Sequence, residues 1–561
     1  MNVALPTRDD DSPRIRQIVE RFGHLPIKAT LLPSIKHEVE QSSLRSLNLG
    51  ICEGSDPTEA PLCFPPSYAL RVGKLDPCCR TLYPEVLDDV PINIPPVSQG
   101  EQMSSSTFST VNPATGEQIE TFSVFTPKET EATLVGADRA FQAFRKVPVH
   151  QRAKLLTNLA VVLREEKAAL ATVITREMGK ITAEAEAEIE KCAAEADWYA
   201  EHGPQMFADA PAATGKVEAY VSYLPIGPIL AIMPWNLPIW QLTRMALPTL
   251  LAGNVVLVKH SPNTQRSSLE FERVMLEAGF PEGAFSNLIL KTEDIVNVIN
   301  DPRIQGASVT GSVRAGSAVA SEAGKVIKKT IMELGGSDAF IVCKDADIPK
   351  AVAAGITSRF SNAGQVCLAA KRFILVEEIA DEFEQLFVEA ARVIRVGDPT
   401  NPATQMGPMA RMDLRDSLHK QVEGSVAKGA RLLCGGKTPE GKGAFYTPTV
   451  LSGVTQGMPA FDEETFGPVA AFMRVPDVDA AVDAANASEF GLSGNIWTSD
   501  IAAARKIARD LYTGGVFING FTASNPRVPV GGVKNSGYGR ELSHFGAHAF
   551  VNPQTVWIEN L

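Results

Sequence analysis

Cys367 sits in Ser361-Asn362-Ala363-Gly364-Gln365-Val366-Cys367-Leu368, a small polar loop after a helical stretch from Ile348 to Phe360. An isolated cysteine is most often a buried, unreactive hydrophobe. This loop argues for a nucleophile instead. Gly364 lets the backbone approach a ligand, and Asn362 and Gln365 are polar where a packed thiol would have apolar neighbours. Glu333, in Met332-Glu333-Leu334-Gly335-Gly336, ends an apolar run beside a glycine pair. It is either a strand-end surface carboxylate or a general base whose proton affinity is raised by burial. Asn236 is locked between prolines in Pro234-Trp235-Asn236-Leu237-Pro238. It either makes a turn or offers its side-chain NH2 to an oxyanion.

Two further features suit a dinucleotide. Lys259 follows an apolar run, Val255 to Val258, at the carboxyl end of an expected strand, where α/β sheets bind ligands. Gly311-Ser312-x-x-x-Gly316 follows the run Ala307 to Thr310 and opens a helix whose N–H groups suit a pyrophosphate. Glycine-rich turns of this kind also occur without any phosphate, and neither is a G-x-G-x-x-G fingerprint.

The elements that must position these residues read as α/β. From about Thr107 the pattern is regular, with a turn at Asn112 to Gly116 and helices through about Ala200; Leu155, Leu159, Val162 and Leu163 mark a core face. Apolar runs at Ile229 to Met233, Val255 to Val258, Ser286 to Ile289, Ala307 to Thr310 and Ala339 to Cys343 alternate with helical stretches, as parallel β-α-β units require. Arg372 to Val376, Val469 to Val475 and Gly515 to Asn519 imply a second α/β unit beyond about residue 335, and Phe550 to Ile558 a final strand. The first hundred residues are Pro-rich and hold four of the eight cysteines, which reads as an extension outside the fold. Asp9-Asp10-Asp11 speaks against a transit peptide, and no apolar signal core follows Met1, so a cytoplasmic location is expected, with a mitochondrial one left open. Met103 is a candidate alternative start.

The whole chain of 561 residues is long enough for two or three domains, with 44% hydrophobic and 21% charged residues as in ordinary globular proteins. A net charge of -12 without a Lys/Arg cluster argues against nucleic acid. Apolar stretches such as Pro225 to Pro234 are broken by Pro and Gly and fall short of the roughly 20 residues that span a bilayer, so no membrane partner is expected. Scattered Cys and His, without C-x-x-C or H-E-x-x-H, indicate neither a disulfide framework nor a metal.

Taken in order, Pro234-Trp235-Asn236, Lys259, Gly311-Ser312, Glu333-Leu334-Gly335-Gly336, Gly364-Gln365-Val366-Cys367 and Glu464-Thr465-Phe466-Gly467-Pro468 resemble the aldehyde dehydrogenase superfamily from Thr107 to Leu561. Within it the wording is similar to bacterial NAD(P)-dependent succinate semialdehyde dehydrogenases. Trp198 to Gly203, Lys259 to Asn263, Val309 to Gly316, Gln365 to Ile374 and Gly539 to Gly546 carry that likeness. The resemblance implies a Rossmann-like cofactor domain (103–206 and 226–334), an α/β catalytic domain (335–544) and a bridging β oligomerisation extension (207–225 and 545–561). A homodimer or homotetramer follows, with residues 1–102 as a disordered extension.

The resemblance also implies roles: Cys367 as nucleophile, Glu333 as base for thioester hydrolysis and Asn236 as oxyanion donor. NAD or NADP would lie against Trp235, Asn236, Lys259, Pro262, Gly311, Ser312, Leu334 and Glu464. Pro262 stands where many NAD-specific relatives have a Glu on the ribose 2′-OH, so a 2′-phosphate meets no like charge and both cofactors should serve. Arg244 falls where semialdehyde dehydrogenases clamp a substrate carboxylate, a job suited to a guanidinium, although a salt-bridge partner is the plainer reading. A second arginine of the longer semialdehyde branch is Ser361 here, for which Arg359 and Ser524 are candidate compensators. Leu368 in place of a second Cys removes regulation by a disulfide at the nucleophile. The rivals are a broad-range or neutral aldehyde dehydrogenase, a thiol hydrolase, and a silent structural or binding protein.

Overall fold

The computed structural model describes residues 106–559 apart from Lys216. The expected extension over 1–102 and the candidate start at Met103 lie outside the described residues. The described chain opens with an antiparallel hairpin, β1 (Thr107–Val111) and β2 (Gln118–Ser123). Its turn closes when Gly116 N–H donates to Asn112 C=O at 2.8 Å, with φ of 74° at Gly116, a conformation glycine adopts without a Cβ clash. Four helices follow, Pro127–Phe144, Val149–Glu165, Lys167–Met178 and Thr182–Met206. In the second, Leu156, Leu159, Ala160 and Leu163 are buried, while Leu155 of the expected face is only half-buried.

Two parallel sheets carry the rest. The first contains β5 (Pro228–Met233), β6 (Val255–His260), β7 (Phe285–Asn287), β8 (Gly306–Thr310) and β9 (Lys329–Glu333) in the order β7-β6-β5-β8-β9. The short β19 (Gly537–Tyr538) adds antiparallel to β9. The second contains β10 (Asp338–Val342), β11 (Ala370–Val376), β13 (Thr449–Ser452), β14 (Val469–Val475), β16 (Gly494–Trp497) and β17 (Val516–Ile518) in the parallel order β13-β14-β11-β10-β16-β17. An antiparallel β12 (Arg431–Cys434) lies outside β13. Both sheets start at a central strand, fill one side and then cross to the other, as a doubly wound sheet does; in the second the chain passes from β11 to β12 and β13 at the edge before returning to β14. Every residue of β6, β10 and β11 is buried, as strands covered by helices on both faces must be.

Each sheet has its own apolar core. In the second, Phe373 meets Phe387 edge-to-face at 5.0 Å, a contact adding about 0.5–1.5 kcal/mol beyond burial. A small pair, β15 (Phe490–Gly491) with β18 (Val533–Lys534), lies apart from both sheets. A third sheet joins β3 (Ala210–Pro211), β4 (Glu218–Pro225) and β20 (Val551–Ile558), the last two paired antiparallel over their whole length. Strand ends differ slightly from those read in the sequence. β17 stops at Ile518 because Asn519 turns left-handed, with φ of 53°.

The connection between the sheets decides where chemistry can occur. The chain leaves the first sheet at Glu333 and enters the second at Asp338. The carboxyl end of β9 is thereby set beside the amino ends of β10 and its parallel neighbour β11.

Candidate active site

Cys367 lies three residues before β11, Glu333 is the last residue of β9, and Asn236 lies three residues after β5. The two-sheet junction therefore brings the three together although they span more than a hundred positions of sequence. Asn236 Nδ2 donates to Gln365 C=O at 3.0 Å, and Asn362 Nδ2 donates to Asn236 C=O at 2.8 Å, so the post-β5 loop is laced to the cysteine loop.

That loop is strained. Asn362, Ala363 and Gly364 are consecutive left-handed residues, with φ of 54°, 51° and 72°. The two non-glycine members cost about 1–2 kcal/mol each. Opposing bonds hold them. Asn362 N–H donates to the Glu184 carboxylate at 3.1 Å, and Gln365 Oε1 accepts from Ala410 N–H at 2.9 Å. Buried Lys371 donates to the carbonyls of Val366 and Cys367, at 3.1 and 2.7 Å, and pairs with Glu464 at 3.2 Å. Glu464 in turn accepts from Gly336 N–H at 3.0 Å. Glu464, expected only to meet the cofactor, ties the cysteine loop to the junction between the sheets.

Cys367 keeps some exposure, but the protein around the thiol desolvates it and pushes it up to about 11, against the pull of Arg244 and Lys371. Burial likewise pushes Glu333 up to about 8, opposed by Arg244 and Arg540. Its Oε1 has no hydrogen-bond partner among the described residues. Gly531 makes room for that oxygen, since a Cβ there would stand 2.6 Å from it. A buried carboxyl with a free oxygen beside a thiol is equipped to accept a proton.

Arg244 is buried on the helix Trp240–Leu251. Its Nε donates to Glu541, and its Nη2 has no partner among the described residues. Burial works against the Arg244 charge, but Glu541, Glu333 and Cys367 more than offset this and keep it protonated. It thus combines the salt bridge of the plainer reading with a buried, unpartnered donor, and its charge is felt at Cys367. The reading of Arg359 as a compensating substrate residue needs correction. Arg359 is fully buried and donates to the carbonyls of Gly364 and Ala370, so its guanidinium braces the cysteine loop from inside. Ser361 donates to Thr357 C=O at 2.7 Å. Ser524 is half-buried and accepts from Lys191 Nζ at 2.8 Å and from Trp240 Nε1 at 3.1 Å.

The remaining expected residues gather at the carboxyl ends of the first sheet. Its winding reverses between β5 and β8, and an open sheet binds ligands in the crevice at such a reversal. Trp235 follows β5 and meets Phe466 edge-on at 5.7 Å. Lys259 near the end of β6 is buried, with no ion pair among the described residues. Burial lowers its proton affinity, so a hydroxyl or phosphate acceptor there would relieve it. Gly311 has open space beside it, the nearest atom to an added Cβ being 3.9 Å away. Ser312 caps the helix Val313–Lys325 by accepting from Ala315 N–H at 3.3 Å. Leu334 is buried against Gly316, where a Cβ would come within 2.5 Å of its side chain, and exposed Pro262 opens the turn after β6. These groups fit a dinucleotide, with an anion-tolerant helix start, an unpaired cation and room for a phosphate.

Sequence reasoning gave no role to Lys371, Glu541 or Lys191. The first two lie inside quoted stretches, four residues after Cys367 and one after Arg540, but only the fold turns them onto Cys367 C=O and Arg244. Among the described residues no helix is long and apolar enough to cross a membrane, and no group of His, Cys, Asp or Glu could hold a metal ion.

The model of the aldehyde dehydrogenase family matches residues 101–556. The chain is 49% identical to the succinate semialdehyde dehydrogenase [NAD(P)+] Sad of Escherichia coli strain K12 over 451 residues, covering 80% of this chain and 98% of that protein. It is 46% identical to the succinate-semialdehyde dehydrogenase [NADP(+)] of Mycobacterium avium strain 104, covering 80% of this chain and 96% of that protein. The crystal structure of succinic semialdehyde dehydrogenase from Streptococcus pyogenes in complex with NADP+ superimposes with a TM-score of 0.79 at 36% identity, covering 81% of this chain and all of that one. Fold, site geometry and sequence agree: the chain belongs to the aldehyde dehydrogenase family.

Proposed function

We propose that this protein oxidises succinate semialdehyde to succinate with NAD+ or NADP+. The observation that carries this reading is the free Nη2 of Arg244, a buried cationic donor whose charge is felt at both Cys367 and Glu333. A carboxylate at the far end of a short aldehyde would satisfy it. The substrates named for the Escherichia coli and Mycobacterium avium relatives support the same choice.

In this mechanism Cys367 loses its thiol proton to water, its Sγ bonds to the aldehyde carbon, and the carbonyl π pair moves onto the oxygen. The oxyanion is held by Asn236 Nδ2, which has a second hydrogen to spare, and by the Cys367 N–H. NAD(P)+, which Trp235, Lys259, Gly311, Ser312 and Glu464 would hold, would supply the acceptor for the hydride on that carbon. Cys367 then holds a thioester. Glu333, once ionised, takes a proton from water, the hydroxyl adds to the thioester carbonyl, and the carbon–sulfur bond breaks to release the acid and the thiolate. Lys371 and Arg359 keep the loop in register for both steps.

The first sheet with its helices (103–206 and 226–334) is the cofactor-binding part, using Trp235, Asn236, Lys259, Gly311, Ser312, Leu334 and Glu464. The region 335–544 supplies the nucleophile. Pro262 places no carboxylate near the ribose, so both cofactors serve. The sheet of β3, β4 and β20 (207–225 and 545–561) presents β20 as an edge with Trp557 and Ile558 exposed, which suits pairing with a second copy in a homodimer or homotetramer. A cytoplasmic location accords with the bacterial relatives.

A broad-range enzyme for neutral aldehydes is the second reading, favoured by Ser361 and by the inward use of Arg359. Absorbance at 340 nm with succinate semialdehyde, glutarate semialdehyde and butanal, each with NAD+ and NADP+, separates the two. The succinate reading expects the highest kcat/KM for the first aldehyde and turnover with both cofactors. Equal values for butanal would overturn it, and a preference for NAD+ above about a thousandfold would overturn dual cofactor use.

A further inference from the structure

Lys191 lies on the helix Thr182–Met206, half-buried, and forms no ion pair among the described residues. Its Nζ donates to Ser524 Oγ at 2.8 Å and stands 3.9 Å from the centroid of the Trp240 ring. The acidic groups around it are committed elsewhere. Glu188 pairs with Lys180 and accepts from the N–H groups of Ile239 and Trp240 at 2.9 and 3.0 Å. Burial pushes Glu195 up to about 8, which leaves it mostly neutral at pH 7. An ammonium in such surroundings is short of negative charge.

Ser524 adds a second sign. Its oxygen already accepts from Lys191 Nζ and from Trp240 Nε1, and a hydroxyl has two acceptor sites. Its own hydrogen is therefore the free valence, directed away from both donors toward an acceptor. Arg244 adds a third. It follows Trp240 by four residues on one helix, so the two side chains share a face one turn apart. Its buried Nη2 is unpartnered among the described residues, and Glu541 neutralises only its Nε side. An ammonium, a hydroxyl proton and a guanidinium N–H are thus free on residues grouped around the helix of Trp240, with Glu541 their one paired carboxylate and with Glu195 and Glu333 held mostly neutral by burial.

We propose that Lys191, with Ser524 and Arg244, holds the substrate's distal carboxylate and sets the preference for acidic over neutral aldehydes. This inference rests on the semialdehyde reading and supplies the second positive charge that Ser361 does not. The carboxylate takes N–H from Lys191 and Arg244 and O–H from Ser524, which uses each free donor. The alternative is that Lys191 merely props the Trp240 ring. A prop would affect every aldehyde alike, because a displaced Trp240 disturbs the whole passage to Cys367.

The test is the ratio of kcat/KM for succinate semialdehyde to that for butanal, in wild type, Lys191→Met and Lys191→Arg. The ratio in wild type tests the semialdehyde reading by itself. Lys191→Met is expected to lower the ratio about tenfold or more, through KM for the acid, and Lys191→Arg to restore most of it. Parallel losses on both aldehydes, or no loss, would overturn the assignment. A measurement on the unaltered protein covers a variant that fails to fold. Succinate should protect Lys191 from labelling by trinitrobenzenesulfonate, read by peptide mass spectrometry, whereas butyramide should not. Equal labelling with and without succinate counts against the proposal.

Discussion

The two parallel sheets reverse about their first strand alike, β7-β6-β5-β8-β9 in one and β14-β11-β10-β16-β17 in the other, although the second reaches β14 only after β12 and β13, yet their reversal points are built differently. In the first sheet, the loops after β5 and β8 carry Trp235, Asn236, Gly311 and Ser312. In the second, the equivalent loops after β10 and β16 are tied to each other. Asp345 accepts from Thr498 Oγ1 at 2.8 Å and from the N–H groups of Ser499 and Asp500 at 3.0 and 3.1 Å. The second sheet instead works from its opposite end, where residues just before β10 and β11 face the carboxyl end of β9. Under the proposed function one topology serves two purposes: the carboxyl ends of one sheet would hold the cofactor, and the amino ends of the other would present the nucleophile to it.

The sharpest way to break this division is at the meeting point. Cys367→Ala should lower turnover by about 10⁴-fold or more and abolish the first-turnover burst of NAD(P)H, with the fold unchanged by circular dichroism. Retained turnover would remove the nucleophile from the second sheet. Glu333→Gln should lower steady-state turnover by about 10²–10³-fold while a burst near one equivalent per site persists, because the thioester forms but hydrolyses slowly. Burial holds Glu333 at about 8 and the base works only when ionised, so wild-type turnover should rise with pH through that region. The variant should lose that limb. The same shift has a stability sign. A carboxyl raised in the folded state favours folding most below the ordinary carboxylate range and loses that advantage as pH rises through about 8. Glu333→Gln should therefore melt higher than wild type near pH 9.

Much of this was legible in the sequence because the first sheet obeys local rules. Strands such as Val255–His260 read as buried apolar runs, and the groups at their carboxyl ends, Lys259 and Gly311-Ser312, follow directly in the chain. The cysteine loop was legible in composition but not in conformation. Nothing in Asn362-Ala363-Gly364 announces three left-handed residues in a row, since their strain is offset by distant partners such as Glu184 and Ala410. Arg359 was misread for the same reason. An arginine eight residues before Cys367 looks available until the fold turns it inward onto the carbonyls of Gly364 and Ala370. Arg244 and Lys191 lie 53 positions apart, and only packing around Trp240 brings them near enough for the charge of Arg244 to be felt at Lys191.

The smallest expected effect bears on the second sheet's closed reversal point. Asp345 is exposed and solvent screens its charge, so Asp345→Ala should cost only about 1 kcal/mol, read as a lower urea midpoint at an unchanged slope. The hydrogen bonds from Thr498, Ser499 and Asp500 outweigh the slight burial of Asp345 and hold its carboxyl below the ordinary range. Its contribution is thus present near neutrality and fades only as acid protonates it, so wild type and variant should converge in stability at low pH. KM for NAD(P)+ and for the aldehyde should not move, because the bridge lies at the carboxyl end of β10, a strand's length from Asp338 and the junction with β9. A change in KM for NAD(P)+ would mean that the second reversal point also takes part in binding, and the contrast between the two sheets would fail at its base.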